Sequence, residues 1–311
     1  ATSSPDYNPD LFTGLMTNSE WKKIKEDPNT PLMNRYIQGT YIPGSIVKMI
    51  TQIAILESGK FNYNTTHYCP GFYQFGDRIY GCWYTEGHGD LNMTQAMAMS
   101  CDVFFYKAVQ LIDIDVLYDN FKIFGFGKKT NIDIPNESSG LIPNKEYLYK
   151  RYGKYGWSKG TLLNLAIGQG ELLVTPIQVL NYINLLSTKG MSPNCHFVFV
   201  DNLPENSKPV FDEIVWQRVH AGMRDAIYDR NGTGKKADPN IDGVNVYGKT
   251  GTAENPHGDN HAWFAGWADY QNKKYSFVIL LENAGSGGSV AAPLAKKILI
   301  ELFGNKLLTH K

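Results

Sequence analysis

Residues 45–58 read Ser-Ile-Val-Lys-Met-Ile-Thr-Gln-Ile-Ala-Ile-Leu-Glu-Ser, set between the turn pair Pro43-Gly44 and Gly59. The segment is long enough for a helix, and its apolar residues fall on every side of that helix. It has to be buried on nearly all sides, so any fold that accepts it must pack other elements around it.

The chain is 311 residues long and 42% hydrophobic, which supports a sizeable core and excludes a disordered chain. Its 30 Lys+Arg balance 30 Asp+Glu, so no net field is available to hold a polyanion and a nucleic-acid partner is not expected. No linker composition or repeat interrupts the pattern, so residues 1–311 read as a single domain. No apolar run approaches the ~18 residues of a membrane span.

The periodicity predicts further helices over about Met93 to Ile112, from the cap-and-proline pair Thr175-Pro176 to Gly190, from Phe211 to Tyr228, and from Ala291 to Phe303. A short helix is possible at Asn18 to Ile24, with Ser19 as its cap. Strands are predicted over Val244 to Lys249, Ala262 to Tyr270 and Tyr275 to Glu282, the last two joined by a four-residue hairpin, Gln271 to Lys274. Helices dominate the first two thirds and an antiparallel sheet gathers near the C-terminus, which makes the fold class α+β.

Ser45 and Lys48 stand three positions apart at the start of the apolar helix, so both project from one face. A serine hydroxyl needs a base before it attacks, and a lysine held away from water can become that base. Taken alone the pair carries little weight, because Ser-x-x-Lys recurs by chance. Two further motifs accompany it. Ser100-Cys101-Asp102 lies in an apolar helical stretch to which Ser and Asp are poorly suited. Lys249-Thr250-Gly251-Thr252 ends a strand, where Gly251 would let a substrate backbone lie close to the edge. Three such motifs in this order form the set found in serine acylating enzymes.

With these motifs the chain resembles the transpeptidase domain of class B penicillin-binding proteins, and among them the elongation-type enzymes. The resemblance extends through Gln38-Gly39-Thr40-Tyr41-Ile42-Pro43-Gly44-Ser45, Asn164-Leu165-Ala166-Ile167-Gly168-Gln169-Gly170 and His261-Ala262-Trp263-Phe264-Ala265-Gly266-Trp267. Asp102 stands where many relatives have Asn. The resemblance implies an antiparallel sheet with helices on both sides plus a helical subdomain. It further implies that Ser45 attacks the penultimate D-Ala of a peptidoglycan stem peptide, Lys48 takes its proton, and Ser100 relays a proton to the leaving D-Ala. Asp102 belongs to the same catalytic group. Lys249 would help Thr250, Gly251 and Thr252 hold the terminal carboxylate, with the backbone N–H groups of Ser45 and Thr252 as oxyanion hole. β-Lactams would acylate Ser45. A membrane anchor and pedestal outside this chain, the periplasmic face of the bacterial inner membrane, a glycan polymerase and a rod-shape scaffold partner are expectations of the same kind. A carboxypeptidase or β-lactamase-type hydrolase is the alternative.

Cys69, Cys82 and Cys101, with His88 between the last two, make a Cys3His set suited to tetrahedral zinc. A Cys69–Cys82 disulfide is the competing reading. The resemblance favours metal, since some elongation-type members hold zinc here through Asp, His and Cys; a structural Zn²⁺ outside the chemistry is therefore expected. Trp263, Phe264 and Trp267 read as core, His261 as a turn residue, and the run Ala284 to Ser289 as a mobile loop near the site.

Overall fold

The structure, a computed structural model, describes residues 1–153, 157–198, 210–256 and 258–308. Its helices are α1 (Asn18–Lys25), α2 (Lys48–Glu57), α3 (Met93–Ala98), α4 (Asp102–Ala108), α5 (Ile114–Ile123), α6 (Lys145–Tyr152), α7 (Lys159–Ala166), α8 (Pro176–Ser187), α9 (Glu213–Tyr228) and α10 (Ala292–Leu308). Two small ribbons pair β1 (His67–Cys69) with β4 (Gly89–Leu91) and β2 (Phe72–Phe75) with β3 (Arg78–Gly81). The main sheet is antiparallel in the order β5 (Asn245–Ala253), β6 (His261–Tyr270), β7 (Lys273–Leu281).

Successive residues of a strand point to opposite faces, and β6 buries both. Trp263, Ala265 and Trp267 join a core shared with α2, α8 and α9, whereas Ala262, Phe264 and Ala268 join a second core with Leu299 and Phe303 of α10. Both tryptophans are almost fully buried, and truncating either to alanine should cost about 3–5 kcal/mol. The core reading of Trp263, Phe264 and Trp267 therefore holds, and helices cover both faces of the sheet. Among the described residues no helix is long and apolar enough to cross a membrane.

Several elements depart from the sequence reading. The hairpin loop has two residues: Tyr270 pairs with Lys273, leaving Gln271 (φ 48°) and Asn272 (φ 61°) in the doubly left-handed turn that suits strand twist. Register holds through Asp269 and Lys274, which form an ion pair at 2.9 Å. Thr17 caps α1 rather than Ser19, because Glu20 sits where it completes a reciprocal capping box with Thr17. β5 continues past Lys249 to Ala253, so the third motif lies within the strand. The Ala284 to Ser289 run leads into a π-helical turn at Gly287–Ala291 packed on the sheet; a Cβ at Gly287 would lie 2.2 Å from Trp263 O.

The largest departure concerns the helix expected over Met93 to Ile112, which is broken after Met99. Ser100 takes φ 55°, its N–H donates to Met97 O (3.2 Å), and Cys101 N–H donates to Ala96 O (2.9 Å). That pair of bonds is the Schellman closure of a helix, normally built on glycine. Cys101 then caps α4, its Sγ accepting from Phe104 N–H at 3.5 Å.

Candidate active site

Ser45 lies in a single 3-10 turn, Gly44–Val47, leading into α2. Gly44 has φ 58°, and a Cβ there would sit 2.6 Å from Thr252 O, so only glycine lets this turn lie directly on β5. The turn that carries Ser45 is thereby set against Thr252. Gly251 serves the same approach: a Cβ on it would meet Pro43 O and Ile46 Cγ2, both at 2.9 Å. Its smallness thus accommodates the serine turn itself.

Lys48 is fully buried, and its ammonium makes three contacts: Ser100 O at 2.8 Å, Ser100 Oγ at 3.3 Å and Asp102 Oδ1 at 2.7 Å. The Phe105 ring centroid lies 5.3 Å away. An ammonium has three N–H donors, so these contacts fill it, and none goes to Ser45. Asp102 occupies the first turn of α4, where the helix N-terminus favours a carboxylate, and its Oδ2 accepts from Trp83 N–H at 3.0 Å.

Lys249 is also fully buried, donating to Thr250 O at 3.1 Å. Burial holds its pKa well below the ordinary lysine range, and the nearby Lys48 charge pushes in the same direction. The site therefore holds one lysine with a counter-ion and a second whose charged form is disfavoured.

Ser45, Ser100, Asp102, Thr250 and Thr252 all line one cleft of about 940 Å³. The sequence reading placed these residues together, and the fold brings them together from three elements. It gave no role to several others in the cleft. Thr233 accepts from Thr250 Oγ1 at 2.8 Å and ties α3 to β5 by donating its N–H to Ala98 O at 3.2 Å. Gln169 Nε2 donates to Thr252 O at 3.2 Å, which explains one of the residues in the Asn164 to Gly170 segment. Trp83, Tyr80 and Tyr106 form an aromatic wall. A lone Thr or Trp carries no chemical signature in a sequence, and these contacts depend on tertiary placement.

The ligand atoms of Cys69, Cys82, His88 and Cys101 all lie within 4.8 Å of one another, beside the cleft. The three cysteines are free thiols. His88 Nδ1 is 3.6 Å from Cys69 Sγ and 3.5 Å from Cys82 Sγ. A tetrahedral zinc with bonds of ~2.3 Å to S and ~2.0–2.1 Å to N separates those atoms by about 3.5–3.6 Å, so the set fits the ion. The residue before His88 is closely packed on β1: Gly87 has φ 84°, and a Cβ there would strike Cys69 O at 2.5 Å. Hydrogen bonds with Cys101 and then His88 hold Cys82 below the ordinary thiol range, while Cys101 is pushed up by the same contact with Cys82 and by burial. Cys195 lies apart from this cluster, beside Asn184. His261, expected as a turn residue, is instead the first residue of β6, paired with Ala253, and accepts from Asn283 N–H at 3.1 Å.

Residues 1–300 match the family described as penicillin binding protein transpeptidase domain. The peptidoglycan D,D-transpeptidase MrdA of Haemophilus influenzae is 33% identical across 98% of this chain and 51% of that protein, so the chain spans about half the length of the curated relatives it matches. The penicillin-binding protein 2 of Helicobacter pylori superimposes with a TM-score of 0.88 at 33% identity, over 97% of this chain and 57% of that one. The same values hold for that protein in complex with MreC. A chain from a peptidoglycan synthase complex that coordinates polymerization and crosslinking gives a TM-score of 0.86 at 30% identity, covering 97% of this chain and 53% of that one. By this match over nearly its whole length, the chain belongs to the penicillin-binding protein transpeptidase family.

Proposed function

We propose that the chain is the catalytic domain of a peptidoglycan D,D-transpeptidase of the elongation type, acting through an acyl-enzyme on Ser45 and open to acylation by β-lactams. The observation that carries this is the buried Lys48 ammonium, bonded to Ser100 and Asp102 at a cleft that Ser45 lines. A structural scaffold has no use for two fully buried lysines in one site, because each costs desolvation.

Ser45 Oγ attacks the carbonyl of the penultimate D-Ala, and the carbonyl oxygen takes the charge under the Ser45 and Thr252 N–H groups. Lys48 acts as the general base and takes the Ser45 proton. Ser100 passes a proton to the leaving D-Ala nitrogen as the amide C–N bond breaks. The terminal carboxylate supplies the counter-charge that Lys249 lacks, with Thr252 and Thr250, its hydroxyl turned from Thr233, as donors. An amine from a second stem peptide then attacks the acyl carbon, its proton returns to Ser45, and a new amide forms.

Cys69, Cys82, His88 and Cys101 would hold a structural zinc that ties β1 and the segment after β3 to the turn carrying Ser100. The ion would fix geometry and supply no step. By analogy with the relatives, the longer protein would carry an anchor and pedestal, sit at the periplasmic face of the inner membrane, and meet an MreC-like scaffold and a glycan polymerase. Incubation with a peptide ending in D-Ala-D-Ala and an added amine acceptor tests the reading. An amide of donor and acceptor supports transpeptidation, and hydrolysed peptide alone would assign the domain to the hydrolases.

A further inference from the structure

Trp83 follows the cluster residue Cys82 and makes two hydrogen bonds that meet on either side of Ser100. Its backbone N–H donates to Asp102 Oδ2 at 3.0 Å, and its indole N–H donates to Met99 O at 3.0 Å. The residue is 57% exposed and lines the cleft, so its indole N–H could have been left to water. It is directed instead at the last carbonyl before the left-handed residue. That residue is not glycine, and a side chain in this conformation is held only where its surroundings over-determine it. Lys48 restrains the turn from within, through Ser100 O and Oγ. Trp83 restrains it from outside, at Met99 and at Asp102.

We propose that Trp83 is a positioning residue of the acylation step: through Met99 and Asp102 it clasps the Ser100 turn and holds Ser100 Oγ and the Asp102 carboxylate against Lys48. This rests on the transpeptidase reading above. Trp83 touches no reacting atom in this role. Its ring also packs at 5.5 Å from the His88 ring and 5.7 Å from that of Tyr84, so a test has to separate the N–H from the ring.

Trp83→Phe keeps an aromatic ring and removes the indole donor. Saturation kinetics of benzylpenicillin acylation, read by intact-protein mass, separate the acylation rate constant from the half-saturating concentration. The clasp predicts a rate constant lowered about tenfold, the size of one lost hydrogen bond, with half-saturation and thermal midpoint close to wild type. A rate constant within twofold of wild type, or a change confined to half-saturation, would overturn it. Should Trp83→Phe fail to fold, the wild-type indole N–H decides: slow hydrogen exchange by NMR supports the clasp, and exchange at the rate of a free indole rejects it. A wild-type chain that forms no Ser45 adduct rejects the transpeptidase reading and the clasp together. An acylated wild type with an unaffected Trp83→Phe rejects the clasp alone.

Discussion

Lys48 Nζ lies 2.7 Å from Asp102 Oδ1, with the lysine side chain wholly buried and the carboxylate 10% exposed. The partners stand 54 positions apart, one at the start of α2 and the other at the start of α4. The pair therefore closes only when both helices are packed, and it fixes their distance at the floor of the cleft.

Breaking that pair leaves a buried ammonium without a counter-ion. Asp102→Ala should lower unfolding free energy by about 3–5 kcal/mol in a denaturant titration. Asp102→Asn should cost less, because its carbonyl oxygen still accepts from Lys48, although its amide then faces the Trp83 N–H as donor against donor. A loss below about 1 kcal/mol for Asp102→Ala would contradict the pairing.

Ser100 holds a glycine position for the sake of its hydroxyl. Ser100→Gly should be more stable than Ser100→Ala by about 1 kcal/mol, since alanine keeps the left-handed strain and loses the hydroxyl. Both should acylate slowly. Equal stability of the two variants would show that the turn relaxes when its contacts are removed.

Lys249 bears on stability with a definite sign. Its folded pKa lies below the unfolded value of ~10.4, so between the two the unfolded chain binds the extra proton. Stability from this residue accordingly rises with pH across that window and falls as pH drops toward the folded pKa. Lys249→Met should remove this dependence and raise stability at pH 7 by about 1–3 kcal/mol while abolishing acylation. Denaturant midpoints of both proteins from pH 6 to 10 check this, and parallel pH curves would contradict it.

Metal analysis after purification without chelator should find about one zinc per chain, and its removal should lower the thermal midpoint by several degrees. Less than ~0.2 zinc per chain, together with a Cys69–Cys82 cross-link in the peptide map, would establish the disulfide instead.

The three motifs were legible because each is a local pattern whose chemistry needs particular residue types, and the burial of α2 and β6 followed from their apolar character. The break at Ser100 was not legible, since a Schellman closure is read from glycine and none stands there. It is selected by Lys48, a distant residue that rewards the turn with two hydrogen bonds. The two-residue hairpin was missed for a related reason: Gln271-Asn272 lacks glycine, and strand register rather than turn preference sets the loop. Gly251 was assigned to substrate approach, whereas the space beside it is filled by Pro43 and Ile46. Thr233, Gln169 and Trp83 act through contacts with residues far away in the chain, for which sequence holds no pattern.

The most direct test is the intact mass of the chain during incubation with benzylpenicillin, followed over hours with peptide mapping. The account predicts a single adduct on Ser45 that persists for hours and is absent from Ser45→Ala, itself still folded. No adduct on folded protein at drug excess, or an adduct on another residue, would contradict it.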